Sequence, residues 1–112
     1  MQRGEIRYAD LGGRWGRRPV LLVLASNLAE VAAGVTCAPI TTSLRGFASR
    51  VALSAAEGMR EPSEAVCEAL ATIDKDDIDT VPLGALAASR YGELDRAIAR
   101  ALDNRRANLL PA

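Results

Sequence analysis

The stretch Val35–Gly46, V-T-C-A-P-I-T-T-S-L-R-G, constrains the fold of this chain more than any other. Its first half has the composition of a β-strand, and three hydroxyl side chains and an Arg-Gly pair end it. We therefore expect a buried core strand whose exit lies at the surface. The hydroxyls of Thr41, Thr42 and Ser43 and the guanidinium of Arg45 should project from the loop that follows.

A second apolar stretch lies just upstream and begins with arginines. Arg17, Arg18 and Pro19 lead directly into Val20–Ala25, which has the pattern of a fully buried strand. Arginine presents a planar fork of N–H donors that suits phosphate oxygens, and threonine or serine adds short, directional hydrogen bonds. Arginines at the entry of one core strand and hydroxyls at the exit of the next indicate phosphate chemistry.

Short strands dominate the rest of the chain. Further strands are predicted at Gly4–Leu11, Phe47–Leu53, Ser63–Ile73 and Val81–Leu86. We expect Phe47–Leu53 to pair with the Val35–Gly46 strand, and Ser26-Asn27 to cap a short helix that ends at Val31.

The C-terminal segment changes to a helical period. Apolar residues recur on one helical face, at Tyr91, Leu94, Ile98, Ala101 and Leu102. This pattern predicts an amphipathic helix that begins between Ala87 and Ser89. Many short strands and one terminal helix favour a mainly β (α+β) fold, in which the helix packs on a small barrel.

The chain has 112 residues, which fits one domain. We place this domain at residues 1–104 and expect 105–112 to be a frayed tail. No apolar run approaches the roughly 20 residues that span a bilayer, and the N-terminus does not resemble a signal peptide. A cytoplasmic protein without a membrane partner is therefore expected.

Two cysteines, Cys37 and Cys67, lie in strand-like apolar segments, where a free thiol behaves as a small buried hydrophobe. A disulfide between them is the alternative. The sequence contains no histidine, which argues against a zinc site. We predict neither a metal nor a cofactor.

The formal net charge of zero hides an uneven distribution. Residues 1–50 hold seven arginines and three acidic residues, a net charge of +4. Residues 51–89 hold two basic and eight acidic residues, a net charge of −6, and the remainder holds five basic and three acidic residues, a net charge of +2. A basic half can bind a polyanion, although a solvated surface is the more common explanation of such charge blocks.

The loop Gly12–Arg18 carries the only tryptophan, Trp15, beside Arg14. An aromatic side chain next to arginine on a loop can stack on a nucleobase or grip a partner peptide. It can equally fold back over the core as a lid, and the sequence does not separate these two interpretations.

Ordered motifs make the chain resemble the MazF/PemK family of toxin endoribonucleases. R-G-E-I near the start is followed by D-L, R-R-P-V-L-L-V-L, A-P-I-T-T, E-G-M, T-I-D-K-D-D-I, L-G-A-L and L-D-R-A-I, over about residues 2–103. The resemblance implies a homodimer of small SH3-like β-barrels (CcdB/PemK-type) with short helices. It also implies metal-independent, sequence-specific cleavage of single-stranded RNA, mRNA included, and an antitoxin with an extended acidic C-terminal segment.

The resemblance also assigns roles to residues. The arginine before proline, Arg18, would stabilise the phosphate oxygens and is a candidate proton donor. Thr41 would hydrogen-bond the scissile phosphate, and Glu68 stands near the position of a carboxylate base. The products would be a 2′,3′-cyclic phosphate and a 5′-hydroxyl. The residues expected to bind RNA are Arg14, Trp15, Arg17, Thr42, Ser43 and Arg45.

Some positions depart from the family pattern. Val66, Ala69 and Ala71 stand where the family usually has polar residues, and Arg50 stands where an acid is common. These departures leave open a second interpretation, a homologue that binds RNA or antitoxin but cleaves poorly. A gyrase poison of the same fold is a further alternative, but such toxins share a Trp-Gly-hydrophobe C-terminus, whereas this chain ends in Leu-Leu-Pro-Ala.

Overall fold

Seven antiparallel strands form one curled sheet in the computed structural model, which describes residues 1–102. The predicted mainly β fold with a C-terminal helix is confirmed. The strands are β1 (Glu5–Asp10), β2 (Arg17–Leu22), β3 (Gly34–Thr41), β4 (Arg50–Leu53), β5 (Ser63–Val66), β6 (Ala71–Asp74) and β7 (Gly84–Ala85). The helices are α1 (Ser26–Val31) and α2 (Tyr91–Ala101), and single 3-10 turns lie at Ala55–Glu57, Cys67–Ala69, Lys75–Asp77 and Ala88–Arg90. The expected tail at 105–112 lies outside the described residues.

The strand β3 is the centre of the sheet. It pairs with β2 along one edge, while its first half pairs with β6 and its end pairs with β5 along the other. Six strands follow the order β4-β5-β3-β2-β1-β7, and β6 lies off this path, paired with β3. As a result, the last residue of β3, Thr41, is flanked by β2 on one side and by β5 on the other.

Side chains of the central strands alternate between two hydrophobic clusters, as expected where successive residues of a strand point to opposite faces. Val35 and Cys37 belong to the cluster that also holds Ala29 of α1. Ala38 and Ile40 belong to the cluster that also holds Leu94 and Ala97 of α2. Both helices thus cover the sheet with an apolar side, and α2 confirms the predicted amphipathic helix. Its predicted start between Ala87 and Ser89 is wrong, because residues Ala88–Arg90 form a 3-10 turn and the α-helix begins at Tyr91.

The prediction of buried free thiols is confirmed. Cys37 and Cys67 are both buried and unpaired, and they belong to different hydrophobic clusters. Desolvation raises the pKa of the Cys37 thiol to about 12, and the pKa of the Cys67 thiol, close to Glu68, to about 11. In the part of the chain that the structure describes, no helix is long and apolar enough to cross a membrane.

The predicted partner of the Phe47–Leu53 strand is wrong. The strand is shorter, beginning at Arg50, and β4 pairs with β5 instead of β3. The reason is that β2 and β5 already occupy both edges of β3 at its end. Residues 42–49 therefore form a loop that leads from β3 to β4, which lies beyond β5 in the sheet.

Two local predictions also need correction. Ser26 does not cap α1: its hydroxyl accepts a hydrogen bond from the Arg3 amide (3.0 Å), and Ala25 takes the cap position without a side-chain bond. The strand expected at Val81–Leu86 is reduced to Gly84–Ala85, because only these residues pair with β1.

Candidate active site

The structure brings Arg18 and Thr41 together at the end of the β2–β3 ladder. In this ladder Val20 pairs with Pro39, and extending the register by two residues sets Arg18 opposite Thr41. The Arg18 Nη1 atom also donates a hydrogen bond to the Ile40 carbonyl oxygen (3.4 Å). The guanidinium of Arg18 therefore reaches the backbone of the residue just before Thr41, at the same end of β2 and β3.

Trp15 holds the Arg18 guanidinium from the other side. The Trp15 carbonyl accepts a hydrogen bond from Arg18 Nε (2.6 Å), and the guanidinium carbon lies 4.9 Å from the centroid of the indole ring. Trp15 is half-buried on the β1–β2 loop, and its ring packs on the arginine and not in either core cluster. This contact replaces the lid interpretation and fixes the direction of the guanidinium.

Arg17 engages a different set of residues. Its Nη2 atom donates to Asp79 Oδ2 (2.8 Å), and its guanidinium carbon lies 5.4 Å from the centre of the Tyr8 ring. Neighbouring residues of a strand point to opposite faces, which separates Arg17 from Arg18. Arg14 lies exposed on the same loop as Trp15.

The Thr41 hydroxyl is oriented by the loop that follows it. Its oxygen accepts a hydrogen bond from the Ser43 amide (3.0 Å). Because the oxygen is used as an acceptor, the hydroxyl proton can be donated to a phosphate oxygen. Thr42, Ser43 and Arg45 are exposed, as the sequence predicted for this exit.

Glu64 is a residue of the site that the sequence analysis did not identify. It pairs with Thr41 in the β3–β5 ladder and is only 7% exposed. Its carboxylate accepts hydrogen bonds from the amides of Arg45 (2.9 Å) and Gly46 (3.0 Å) and from Arg50 Nη1 (3.1 Å). Burial opposes ionisation, but these bonds outweigh it and lower the pKa of Glu64. The carboxylate thus anchors the loop after Thr41.

Glu68 is tied to the same region through Arg50. Its carboxylate accepts hydrogen bonds from Ser49 Oγ (2.7 Å) and Arg50 Nε (3.0 Å). Burial acts against these bonds, but their combined effect lowers the pKa of Glu68. The contacts of Glu68 are therefore with Ser49 and Arg50, whereas those of Arg18 are with Trp15 and Ile40.

A groove of about 390 Å³ opens beside Thr41. It has an apolar floor and a partly polar rim, formed by Tyr8, Pro19, Ile40, Thr41, Thr42, Gly58, Met59, Arg60, Glu61, Ser63 and Leu83. Its volume falls within the range of small-ligand sites. Within residues 1–102, no group of three or more His, Cys, Asp or Glu side chains could hold a metal ion. The site therefore offers hydrogen-bond donors, the guanidiniums of Arg18 and Arg60, and an apolar groove.

Comparisons with known proteins agree with this arrangement. The sequence model of a family described as PemK-like, MazF-like toxin of type II toxin-antitoxin system matches residues 2–102. Endoribonuclease MazF3 of Mycobacterium tuberculosis (strain H37Rv) is 37% identical over 86 residues, which are 77% of this chain and 82% of that protein.

Solved structures have the same fold. The Mycobacterium tuberculosis toxin MazF-mt6 superposes with a TM-score of 0.81 at 35% identity, over 88% of this chain and 96% of that one. An endoribonuclease in complex with its cognate antitoxin, from a mycobacterial species, superposes with a TM-score of 0.79 at 24% identity, over 93% of this chain and 96% of that one. At that identity the second likeness shows the fold alone.

Proposed function

The chain belongs to the PemK-like, MazF-like toxins of type II toxin–antitoxin systems, and we propose that it acts as an endoribonuclease that cuts single-stranded RNA, mRNA included, without a metal ion. One observation carries the proposal from this premise. Arg18 donates a hydrogen bond to the carbonyl of Ile40, the residue before Thr41, and Trp15 fixes its guanidinium. A fixed cation beside an oriented hydroxyl is suited to stabilise a phosphate as its charge develops.

The proposed reaction uses the RNA's own 2′-hydroxyl as the nucleophile. Its oxygen forms a bond to the adjacent phosphorus while the bond to the 5′-oxygen breaks, which yields a 2′,3′-cyclic phosphate and a 5′-hydroxyl. The proton lost from the 2′-oxygen is balanced by the proton gained at the 5′-oxygen. Arg18 stabilises the charge on the phosphate oxygens, with Thr41 donating one further hydrogen bond.

The resemblance offers Glu68 as the base that accepts the 2′-proton. A base works best when its pKa lies near the working pH, and the bonds from Ser49 and Arg50 move the pKa of Glu68 downward. We therefore propose that Glu68 supports Arg50 instead. Substitution of Glu68, discussed below, separates these two roles.

Exposed groups around Arg18 supply the proposed RNA-binding surface. The free face of the Trp15 ring can stack on a base, since aromatic stacking accepts any base. Cations and hydroxyls near the groove can hold neighbouring phosphates and sugars. The residues proposed for these contacts are Arg14, Arg17, Thr42, Ser43 and Arg45.

We further propose that the protein is a cytoplasmic homodimer neutralised by an antitoxin with an acidic extended C-terminal segment. Membership of a family of type II toxin–antitoxin toxins supports the antitoxin partner. An acidic segment fits because it offers carboxylates to the guanidiniums that would otherwise hold RNA phosphates.

The test is RNA cleavage in the presence of EDTA, with Arg18→Ala compared with Arg17→Ala. Wild-type protein should cleave in EDTA and leave a cyclic phosphate. Arg18→Ala should lose about a hundredfold or more in kcat, by analogy with loss of one transition-state donor. Arg17→Ala should cause a smaller, salt-sensitive loss, because Arg17 acts by general attraction of the polyanion.

Three results would contradict parts of this proposal. Loss of activity on chelation would exclude the metal-free reaction. A larger loss of kcat in Arg17→Ala than in Arg18→Ala would assign the catalytic role to Arg17 instead of Arg18. Wild-type protein that binds RNA without cutting it would identify the chain as a binding homologue, the second interpretation of its sequence.

A further inference from the structure

Arg50 is a nearly buried cation that the proposed reaction does not use. Its side chain is 11% exposed and forms ion pairs with Glu64 (3.1 Å) and Glu68 (3.0 Å). The Phe47 ring covers its guanidinium carbon at 5.0 Å. Its Nη1 atom donates one more hydrogen bond, to the carbonyl oxygen of Ser43 (3.0 Å).

The bond to Ser43 connects Arg50 with the candidate active site. The Ser43 carbonyl accepts from Arg50, and the Ser43 amide donates to Thr41 Oγ1. Both backbone polar groups of this residue are therefore held, one by the buried cation and one by the hydroxyl proposed to bind the phosphate. Further along the same loop, the Glu64 carboxylate accepts hydrogen bonds from the amides of Arg45 and Gly46.

We infer that Arg50 is a positioning residue, which orients the Thr41 hydroxyl through the backbone of Ser43. The inference rests on the proposed function. The two carboxylates hold the guanidinium, the guanidinium holds the Ser43 carbonyl, and the Ser43 amide holds the Thr41 oxygen. A loop fixed in this way presents the hydroxyl proton to the phosphate before the substrate binds, so no reorganisation is needed during the reaction.

The main test is a double-mutant cycle between Arg50→Lys and Thr41→Val. Lysine keeps the charge but lacks the planar fork that reaches Glu64, Glu68 and the Ser43 carbonyl together. Valine keeps the shape of threonine and removes its hydroxyl. Steady-state cleavage of a short RNA, with the RNA in excess, measures kcat and KM for each variant.

Arg50→Lys should lower kcat about tenfold and leave KM within about twofold, because the transition-state contact is disturbed and RNA binding is not. When Thr41 is already replaced by valine, Arg50→Lys should lower kcat by less than about twofold. The effects of two substitutions on kcat are not additive when one residue acts through the other. Amide hydrogen exchange at Ser43 should be slow in wild type and faster in Arg50→Lys.

Arg90 offers a matched control elsewhere in the fold. It also bridges two glutamates, Glu57 and Glu93, and donates to a backbone carbonyl, that of Ala52. Arg90→Lys should lower the free energy of unfolding about as much as Arg50→Lys does, but it should leave kcat within about twofold of wild type. Phe47→Ala removes the ring over Arg50 at an exposed position and provides a second variant if Arg50→Lys does not fold.

The outcomes separate this inference from the proposed function. Full activity of Thr41→Val would overturn the role of Thr41 and with it the proposed function at that residue. If Thr41→Val were impaired and Arg50→Lys or Phe47→Ala lowered kcat by the same factor in that background as in wild type, only the positioning role of Arg50 would be overturned. Unchanged kcat in Arg50→Lys would overturn it as well.

Discussion

Glu68 illustrates how neighbours decide what a side chain can do. A carboxylate that accepts bonds from Ser49 and Arg50 is held ionised, and its lowered pKa weakens it as a proton acceptor. We expect Glu68→Gln to lower kcat by less than about tenfold, because glutamine can still accept a hydrogen bond from Arg50. The acidic limb of the pH–rate profile should not move. Cleavage kinetics between pH 5 and pH 9 measure both quantities.

A different result would restore the base to the mechanism. If Glu68→Gln cost a hundredfold in kcat with RNA affinity intact, the carboxylate would have to take the 2′-proton itself. Glu30→Gln serves as the control, because Glu30 is an exposed carboxylate on α1, away from Thr41. It should leave kcat unchanged.

At the residue scale, local sequence signals identified Arg18 and Thr41 as site residues, but they did not reveal the roles of Glu64 and Arg50. Arg18 precedes a proline at a strand entry, and Thr41 ends an apolar strand, so each has a local signal. Glu64 lies in a strand that is buried at all four positions, where no alternation marks its role. Arg50 reaches Glu64 and Glu68 because its partner across β4–β5 is Val66, two residues from each. Only the correct strand pairing reveals this cluster.

At the scale of elements, the close approach of β7 to the Ala55–Glu57 turn depends on glycine. A Cβ atom at Gly84 would overlap the Glu57 carbonyl oxygen. Gly84→Ala should therefore lower the free energy of unfolding by about 1–3 kcal/mol, as expected for overpacking against backbone. Urea denaturation monitored by circular dichroism measures the change.

Gly92 supplies the opposite case within the same fold. It lies in α2, where an added Cβ would meet only the end of the Arg96 side chain at 3.5 Å. Gly92→Ala should stabilise the protein by about 0.5–1 kcal/mol, because alanine restricts the unfolded chain and favours helix. If Gly84→Ala left the free energy of unfolding unchanged or raised it, the packing explanation for Gly84 would fail.

The elements themselves were predicted unevenly. β2 has a continuous apolar run, β3 has the composition of a strand and α2 has a helical period, and the structure has each of them close to its predicted position. The partner of β4 was wrong because pairing depends on which strand edges are already occupied, and a single sequence does not show this. The Ser26 cap failed for a similar reason, since a distant amide, that of Arg3, takes its hydroxyl.

At the scale of the whole molecule, the arginines of residues 1–50 fall into two groups, those that form an ion pair and those that do not. Arg3, Arg7, Arg17 and Arg50 each pair with a carboxylate. Within residues 1–102, Arg14, Arg18 and Arg45 form no ion pair, and these three belong to the candidate site and its loops. Within the basic half, the arginines without an ion pair are therefore those of the candidate site and its loops, which favours a polyanion site there over a uniformly solvated surface.

The acid stability of the molecule follows from three glutamates whose pKa is lowered from 4.5. Burial opposes ionisation of Glu5, Glu64 and Glu68, and hydrogen bonds and arginine charges outweigh it. A group with a lowered pKa stabilises the folded state above its unfolded pKa and loses this contribution as pH falls through the folded value. The free energy of unfolding should therefore fall below about pH 4.5, and less steeply in Glu64→Gln.

At alkaline pH the free energy of unfolding should fall as pH rises, because the groups that titrate there are the two buried thiols. Desolvation raises the pKa of Cys37 from 9.0 to about 12, and that of Cys67 to about 11. The unfolded chain then loses these protons first, so stability is complete below pH 9 and falls above it by at most about 1.4 kcal/mol per pH unit for each thiol. Since the sequence has no histidine, the profile should be nearly flat between about pH 5 and pH 8. Urea denaturation of reduced protein at several pH values tests this, with a Cys37→Ala, Cys67→Ala variant for comparison. That variant should be less stable at pH 7 but should lose stability less steeply above pH 9, whereas an equal alkaline slope in both proteins would assign the limb to other groups.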